Sequence, residues 1–265
     1  MNLNGVELHV EPPAGDGELL ILVHGGWTDH NTWAAIVAPL ARRFRVVTYD
    51  RRGHSRSERG PGPAPRRQDE DDLAALIGAL GGGPAHLVGT SYGAAISLSL
   101  AARRPDLVRS VLAHEPPLIG SVPVPEVEAV FRDVQAQIAS GDVERGTRRF
   151  FEELALGPGG WELVPEPIRR IAVGNAQTFV DLREDPAWAT LDVAAVAACP
   201  RPMAVTHGDA GPAWLPYVAV AVADLIGREA VRIPGAGHSP HLTHPEAFAA
   251  VIADRVVGAE LERAA

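Results

Sequence analysis

The sequence contains a single cysteine and no lysine. One cysteine excludes an intrachain disulfide. Cys199 precedes Pro200 in an apolar stretch and reads as a small buried side chain rather than a nucleophile. All 24 basic residues are arginine. Alanine, glycine and proline are also abundant, so this bias reads as genome composition and carries no functional signal. An excess of positive charge is also lacking. The net charge is −9, spread along the chain rather than collected in a tail, which argues against a nucleic-acid or anionic-membrane surface. No apolar run reaches the ~18 residues needed for a membrane span. The stretch MNLNGVELHV has no basic region followed by an apolar one. No signal peptide is therefore expected, and the expected location is cytoplasmic. No nucleotide-binding glycine loop or prosthetic-group motif is present, so no cofactor is expected.

What is present suits one large α/β domain. The chain has 265 residues, 46% hydrophobic and 22% charged, enough for a sizeable core. Short apolar runs at 19–23 (LLILV), 44–49, 86–89, 108–113, 203–206 and 230–233 read as buried strands. Helical periodicity fills 32–42, 69–80, 92–103, 213–227 and 245–257. Strands alternating with helices predict a mostly parallel sheet with helices on both faces. Two early strands, near 6–10 and 19–23, are expected to pair antiparallel. The loop 51–68, rich in Arg, Gly and Pro, is expected to be exposed. Residues 116–200 break the alternation with helical patterns at 125–140, 143–156 and 166–180 and no strand between them. That pattern predicts a helical insertion placed over the sheet.

Three short motifs carry chemistry. Gly89-Thr90-Ser91-Tyr92-Gly93 is G-x-S-x-G after a strand and before an apolar helix, the context in which a serine stands exposed on a sharp turn. His24-Gly25-Gly26-Trp27 follows the strand at 19–23. Glycines there leave a main-chain N–H free, and Gly26 and Tyr92 are the candidate oxyanion donors. His24 itself reads as a structural hydrogen-bonding residue. Gly235-Ala236-Gly237-His238 follows the last strand. A serine hydroxyl needs an adjacent base, and His238 is the candidate. His238, His241 and His244 fall three apart, but no carboxylate or cysteine is interleaved. That spacing does not suit a catalytic zinc motif.

These motifs, with Asp50-Arg51-Arg52-Gly53-His54-Ser55-Arg56-Ser57, resemble the α/β-hydrolase family over nearly the whole chain. The Asp50 segment resembles the family's D-x-R-G-x-G-x-S loop, which is usually structural, with Ser55 where glycine is commoner. The resemblance implies an α/β fold, mostly a parallel eight-stranded sheet, with a helical cap inserted after the sixth strand. Residues 1–115 and 200–265 would form the core and 116–199 the cap. It also implies a Ser–His–acid triad.

The acid is the irregular member. In most relatives it follows the seventh strand as G-x-x-D; laid on Gly208, that pattern ends on Gly211. Two carboxylates stand near. Asp209 directly follows Gly208. Glu115 ends the sixth strand, before Pro116-Pro117, and one group of haloalkane dehalogenases in this family takes its acid from that strand end. Two prolines would hold the backbone after Glu115 rigidly. Glu115 is the favoured acid and Asp209 the alternative.

Serine at 91 decides the reaction type. Epoxide hydrolases and haloalkane dehalogenases of this family use an aspartate, whose ester intermediate offers water a carbonyl; a seryl ether would not. The expected activity is therefore hydrolysis of a carboxylic ester or lactone by Ser91, His238 and Glu115, with Gly26 and Tyr92 holding the oxyanion. The expected partner is a small-molecule substrate, an apolar acyl or lactone compound. Phe131, Phe150, Phe151, Trp161 and Phe179 supply apolar surface in the cap, most of it packing the cap itself. A homodimer is compatible with the sequence. Carbon–carbon bond hydrolysis, perhydrolysis, and a ligand-binding or signalling role with little turnover are the alternatives.

Overall fold

The computed structural model describes residues 1–81 and 83–264. Among these residues eight strands form, divided between two sheets rather than joined in the single sheet of eight that was expected. β1 (Asn2–Leu3) and β2 (Val6–Glu7) make a small antiparallel pair. β3 (Glu18–Val23), β4 (Phe44–Thr48), β5 (Ala85–Thr90), β6 (Val108–His114), β7 (Met203–His207) and β8 (Glu229–Arg232) make the main sheet, in the order β4-β3-β5-β6-β7-β8, all parallel. The expected antiparallel pairing of 6–10 with 19–23 does not occur. β3 is flanked by β4 and β5 and has no free edge. Val10 and Ala14 instead bridge the outer edge at Tyr49 and Val46.

The run LLILV shows why the sheet is covered on both faces. Successive strand side chains point to opposite sides. Leu19, Ile21 and Val23 join one apolar cluster; Leu20 and Leu22 join the other. On the second face lie α1 (Ala34–Leu40) and the C-terminal helix (Pro245–Ala264), which contribute Ile36, Leu40, Phe248 and Ile252. On the first lie α2 (Arg66–Ala79) and α3 (Tyr92–Arg103), with Leu73, Leu76, Ile96 and Leu100. At ~25 cal/mol per Å² of apolar area removed from water, these two faces supply the main driving force of folding.

Between β6 and β7 the chain is helical: α4 (Pro125–Ala139), α5 (Val143–Phe150), a π-helical turn (Phe151–Ala155), α6 (Gly160–Leu163), α7 (Glu166–Arg183) and α8 (Val193–Ala198). The single helix expected over 143–156 breaks at Phe150. The widened π turn follows, with both Phe150 and Phe151 packed against Trp27, ring centroids 4.6 and 6.2 Å away. These helices share one continuous apolar cluster with the α2–α3 face of the sheet. α9 (Trp214–Leu225) and α10 (Pro240–Thr243) precede the C-terminal helix, α11.

The loop after β4 is buried in its first half, contrary to the exposure expected of so polar a stretch. Arg51, Arg52, His54 and Ser57 are buried because Arg51 and Arg52 pair with Asp69 and Asp72 of α2. Among the described residues no helix is long and apolar enough to cross a membrane.

Candidate active site

Strand order brings the motifs together. β3 and β5 are neighbours, but the chain leaves β3 outward to β4 and returns to β5 on the other side. Connections therefore diverge at the carboxyl ends of β3 and β5, where parallel sheets hold ligands. Gly25-Gly26 follows β3 and Ser91 follows β5.

Ser91 adopts φ 52° and ψ −124°, a conformation costly for a side-chain-bearing residue. It is held there by Ser91 N–H donating to His114 O at 2.8 Å and by Ala94 N–H donating to Ser91 O at 2.9 Å. The flanking glycines are required by contact. A Cβ on Gly89 would overlap the Gly93 backbone, and one on Gly93 would overlap the Val23 and His24 carbonyls. Gly25 is equally close: its Cβ would stand 3.0 Å from that of Ser91. Among the described residues the N–H groups of Gly26 and Tyr92 donate no hydrogen bond, so both stay available beside Ser91.

Glu115 is 2% exposed and sits at φ 44°, a second strained residue at a strand end. Its N–H donates to Thr206 O at 2.9 Å. Its Oε2 lies 2.7 Å from His238 Nδ1, and its Oε1 accepts from Gly208 N–H at 2.9 Å. Burial pushes the Glu115 carboxyl up, but the hydrogen bond from His238, the neighbouring His114 and His238 charges and the Gly208 N–H outweigh it and hold it at about 2. An ionised Glu115 can only accept, so His238 Nδ1–H donates the hydrogen bond and Nε2 is left as the lone-pair nitrogen. His238 and Ser91 line the same cavities.

His114 lies against this pair, its Nε2 3.7 Å from Glu115 Oε2. Burial lowers it to about 4, so it is neutral near pH 7 and leaves the Glu115 charge to His238. Asp209 is engaged by other partners. Its carboxylate accepts from Gly235 N–H at 2.7 Å and from Arg232 Nη1 at 3.0 Å. Gly211 has φ 136°, where a side chain is strained, so that position is poorly suited to carry an acid.

His24 and His241 are buried and held well below the usual histidine range by that burial, His241 at about 3. His241 Nε2 bonds Thr32 Oγ1 at 2.8 Å, and His244 Nδ1 bonds Thr243 Oγ1 at 2.9 Å, so the three histidines of 238–244 do not converge. A separate cluster of His9, His30 and Asp50 already has a cation at hand, the Arg56 guanidinium 3.3 Å from His9 Nε2. Cys199 is buried and donates to Ala101 O.

Two small cavities meet at Ser91 and His238. The first, ≈ 30 Å³, is walled by Trp27, Phe131, Phe150, Phe179, Trp188 and Trp214, with no Asp, Glu or Arg. The second, ≈ 50 Å³, is bounded by Thr28, Thr90, Phe151, Leu156, Ser239 and His241. Larger clefts of ≈ 490 and ≈ 520 Å³ lie elsewhere on the surface, away from Ser91. The tryptophans at 27, 188 and 214 join the wall, although no local pattern distinguishes them from packing residues. Asn175 was equally invisible. From α7 it accepts from Ser55 N–H at 2.8 Å and donates to Thr28 O at 3.1 Å. Ser55, at φ 45° where glycine is commoner in similar loops, donates its hydroxyl to Asp29 at 2.9 Å.

A strand–serine–helix turn at the carboxyl edge of a doubly covered parallel sheet defines a hydrolase of the α/β class. A family model described as "Alpha/beta hydrolase family" matches residues 20–251, and the chain belongs to that family. It is 28% identical over 256 residues to the uncharacterized hydrolase YraK of Bacillus subtilis (strain 168), covering 94% of this chain and 92% of that one. It is 29% identical over 259 residues to a pimeloyl-[acyl-carrier protein] methyl ester esterase of Chromobacterium violaceum, covering 91% and 95%. Among solved structures, a thermophilic esterase from Thermogutta terrifontis superposes with a TM-score of 0.80 at 26% identity, covering 96% and 94%.

Proposed function

We propose that the protein is a serine hydrolase that cleaves a carboxylic ester or lactone through an acyl-enzyme intermediate. One observation carries this reading: the 2.7 Å contact of Glu115 Oε2 with His238 Nδ1, beside a strained Ser91 and two N–H groups that have no partner among the described residues. In the acylation step Ser91 Oγ attacks the carbonyl carbon while His238 Nε2 takes the hydroxyl proton. The N–H groups of Gly26 and Tyr92 receive the oxyanion. His238 then passes its proton to the leaving alkoxide. Water deacylates the enzyme by the same route in reverse. Glu115 fixes the tautomer and stabilises the imidazolium that forms twice per turnover.

The substrate follows from the walls. The aromatic cavity offers no cation to a carboxylate and no carboxylate to an amine, so it suits an uncharged acyl group. Residues 116–199 act as a cap over the core of 1–115 and 200–265, contributing Phe131, Phe150, Phe179 and Trp188 to that cavity.

A fluorophosphonate probe together with a series of p-nitrophenyl acyl esters tests the reading. Covalent labelling at Ser91 with many turnovers per enzyme is the expected result, and Ser91→Ala abolishes both. Labelling without turnover favours a ligand-binding protein, and absence of both results overturns the hydrolase.

A further inference from the structure

We infer that Arg51 is a positioning residue that aims the Gly26 N–H of the oxyanion site through the Gly25 carbonyl, with its guanidinium also packed on the ring of Tyr92, the residue that carries the second N–H. The inference rests on the reading of Ser91 as an acyl-transfer nucleophile.

A Gly-Gly peptide is a poor support for an oxyanion donor. With no side chain on either residue, the Gly25–Gly26 peptide plane has little to stop it from turning over. No side chain at 25 could brace it, because its Cβ would stand 3.0 Å from Ser91 Cβ. The plane must be pinned from outside.

Its carbonyl is where the pin sits. Arg51 N–H donates to His24 Nε2 at 2.9 Å. That fixes the remaining ring proton of neutral His24 on Nδ1, which donates to Gly25 O at 2.8 Å. Arg51 Nη1 donates to the same oxygen at 3.0 Å. In a trans peptide the carbonyl and the following N–H point in opposite directions. Two donors holding Gly25 O inward therefore turn Gly26 N–H outward, toward the cavities that Gly26 lines with Ser91 and His238.

The same guanidinium reaches the second donor's residue. Arg51 Cζ lies 5.0 Å from the centroid of the Tyr92 ring, a cation–π distance. Asp69 on α2 holds Arg51 in place from the far side with two bonds, at 3.2 and 3.1 Å. One buried arginine thus links α2 to the β3 loop and to the start of α3.

Removing only the arginine would strand the buried Asp69 charge, so the variant is Arg51→Met with Asp69→Asn. Three quantities are measured: melting temperature, steady-state kinetics on p-nitrophenyl butanoate, and affinity for an aryl-alkyl trifluoromethyl ketone. Ser91 Oγ adds to the carbonyl of that ketone, its proton passes to His238, and the resulting alkoxide occupies the oxyanion site. With the peptide unpinned, kcat is expected to fall roughly 10- to 100-fold, approaching the loss of one oxyanion donor, with KM changed less than about threefold. Ketone affinity falls in parallel with kcat/KM, while affinity for butanoate, the product, is unchanged. A purely structural role would lower the melting temperature and leave the ratio of ketone to butanoate affinity intact; that outcome overturns the inference. If the double variant does not fold, Arg51→Lys replaces it. It keeps a buried cation near Asp69 without the planar fork, and an unaltered kcat there is equally fatal. A wild-type enzyme that the fluorophosphonate fails to label at Ser91 sinks the hydrolase reading itself; a labelled wild type with indifferent variants sinks only this inference.

Discussion

The ends of β6 and β7 lie side by side, each carries one carboxylate, and the two carboxylates are in opposite circumstances. Glu115 is 2% exposed, and its bonds are to Gly208 N–H and His238. Asp209 has 35% of its side chain exposed and is engaged by Gly235 N–H and Arg232. Sequence distance from a glycine would have favoured the β7 turn. Local backbone decides otherwise: Gly208 is pressed against the Ala236 carbonyl, and its N–H is spent on Glu115. The β7 turn thus donates to the carboxylate that ends β6 instead of offering one of its own to His238. Which donors surround a carboxylate, and not its place in a motif, sets what it can bond.

The largest effect should come from Glu115. Glu115→Gln keeps the shape but lets His238 take the wrong tautomer, and turnover should fall roughly 10³- to 10⁴-fold on any ester that the wild type cleaves. A loss under about tenfold would erase the distinction between the strand ends. Transplanting the acid sharpens the same point. In the Glu115→Gln background, Gly211→Asp should restore little activity, because φ 136° strains any side chain there; recovery to within tenfold of wild type would show that the β7 turn can be rebuilt as an acid site.

Acid stability separates the two ends next. Glu115 is held at about 2, below its ordinary 4.5, so its ionised form favours the folded state. That contribution is complete above pH 4.5 and is lost as pH falls from 4.5 toward 2. Melting temperatures of wild type and Glu115→Gln measured across this window should converge toward low pH; parallel curves would contradict the assignment. The smallest effect is expected of Asp209→Asn: turnover within about threefold of wild type, and at most about 1 kcal/mol of stability from its largely exposed partnership with Arg232, read by urea denaturation. A hundredfold loss of turnover would reverse the comparison.

Much of this architecture was legible because it is local. The six main strands begin and end within a residue or two of their apolar runs, and α3 spans 92–103, the same residues as its periodicity. The G-x-S-x-G turn was readable because the glycines answer contacts made within a few residues or with the adjacent strand. The course of 6–14 was not, since it depended on β3 having two neighbours already. Nor was the burial of Arg51 and Arg52, which follows from two aspartates one helix away. The aromatic wall was half legible: Phe131, Phe150 and Phe179 stood in the predicted insertion, but only packing recruits Trp27, Trp188 and Trp214.

By itself the sequence determined the αβ alternation, the serine on its sharp turn and the histidine after the last strand, since periodicity and glycine placement act over short stretches of backbone. Only the tertiary structure decided which carboxylate meets that histidine. Glu115 and His238 are 123 residues apart, and their contact exists because β6, β7 and the loop after β8 are stacked side by side by the burial of both faces of one sheet.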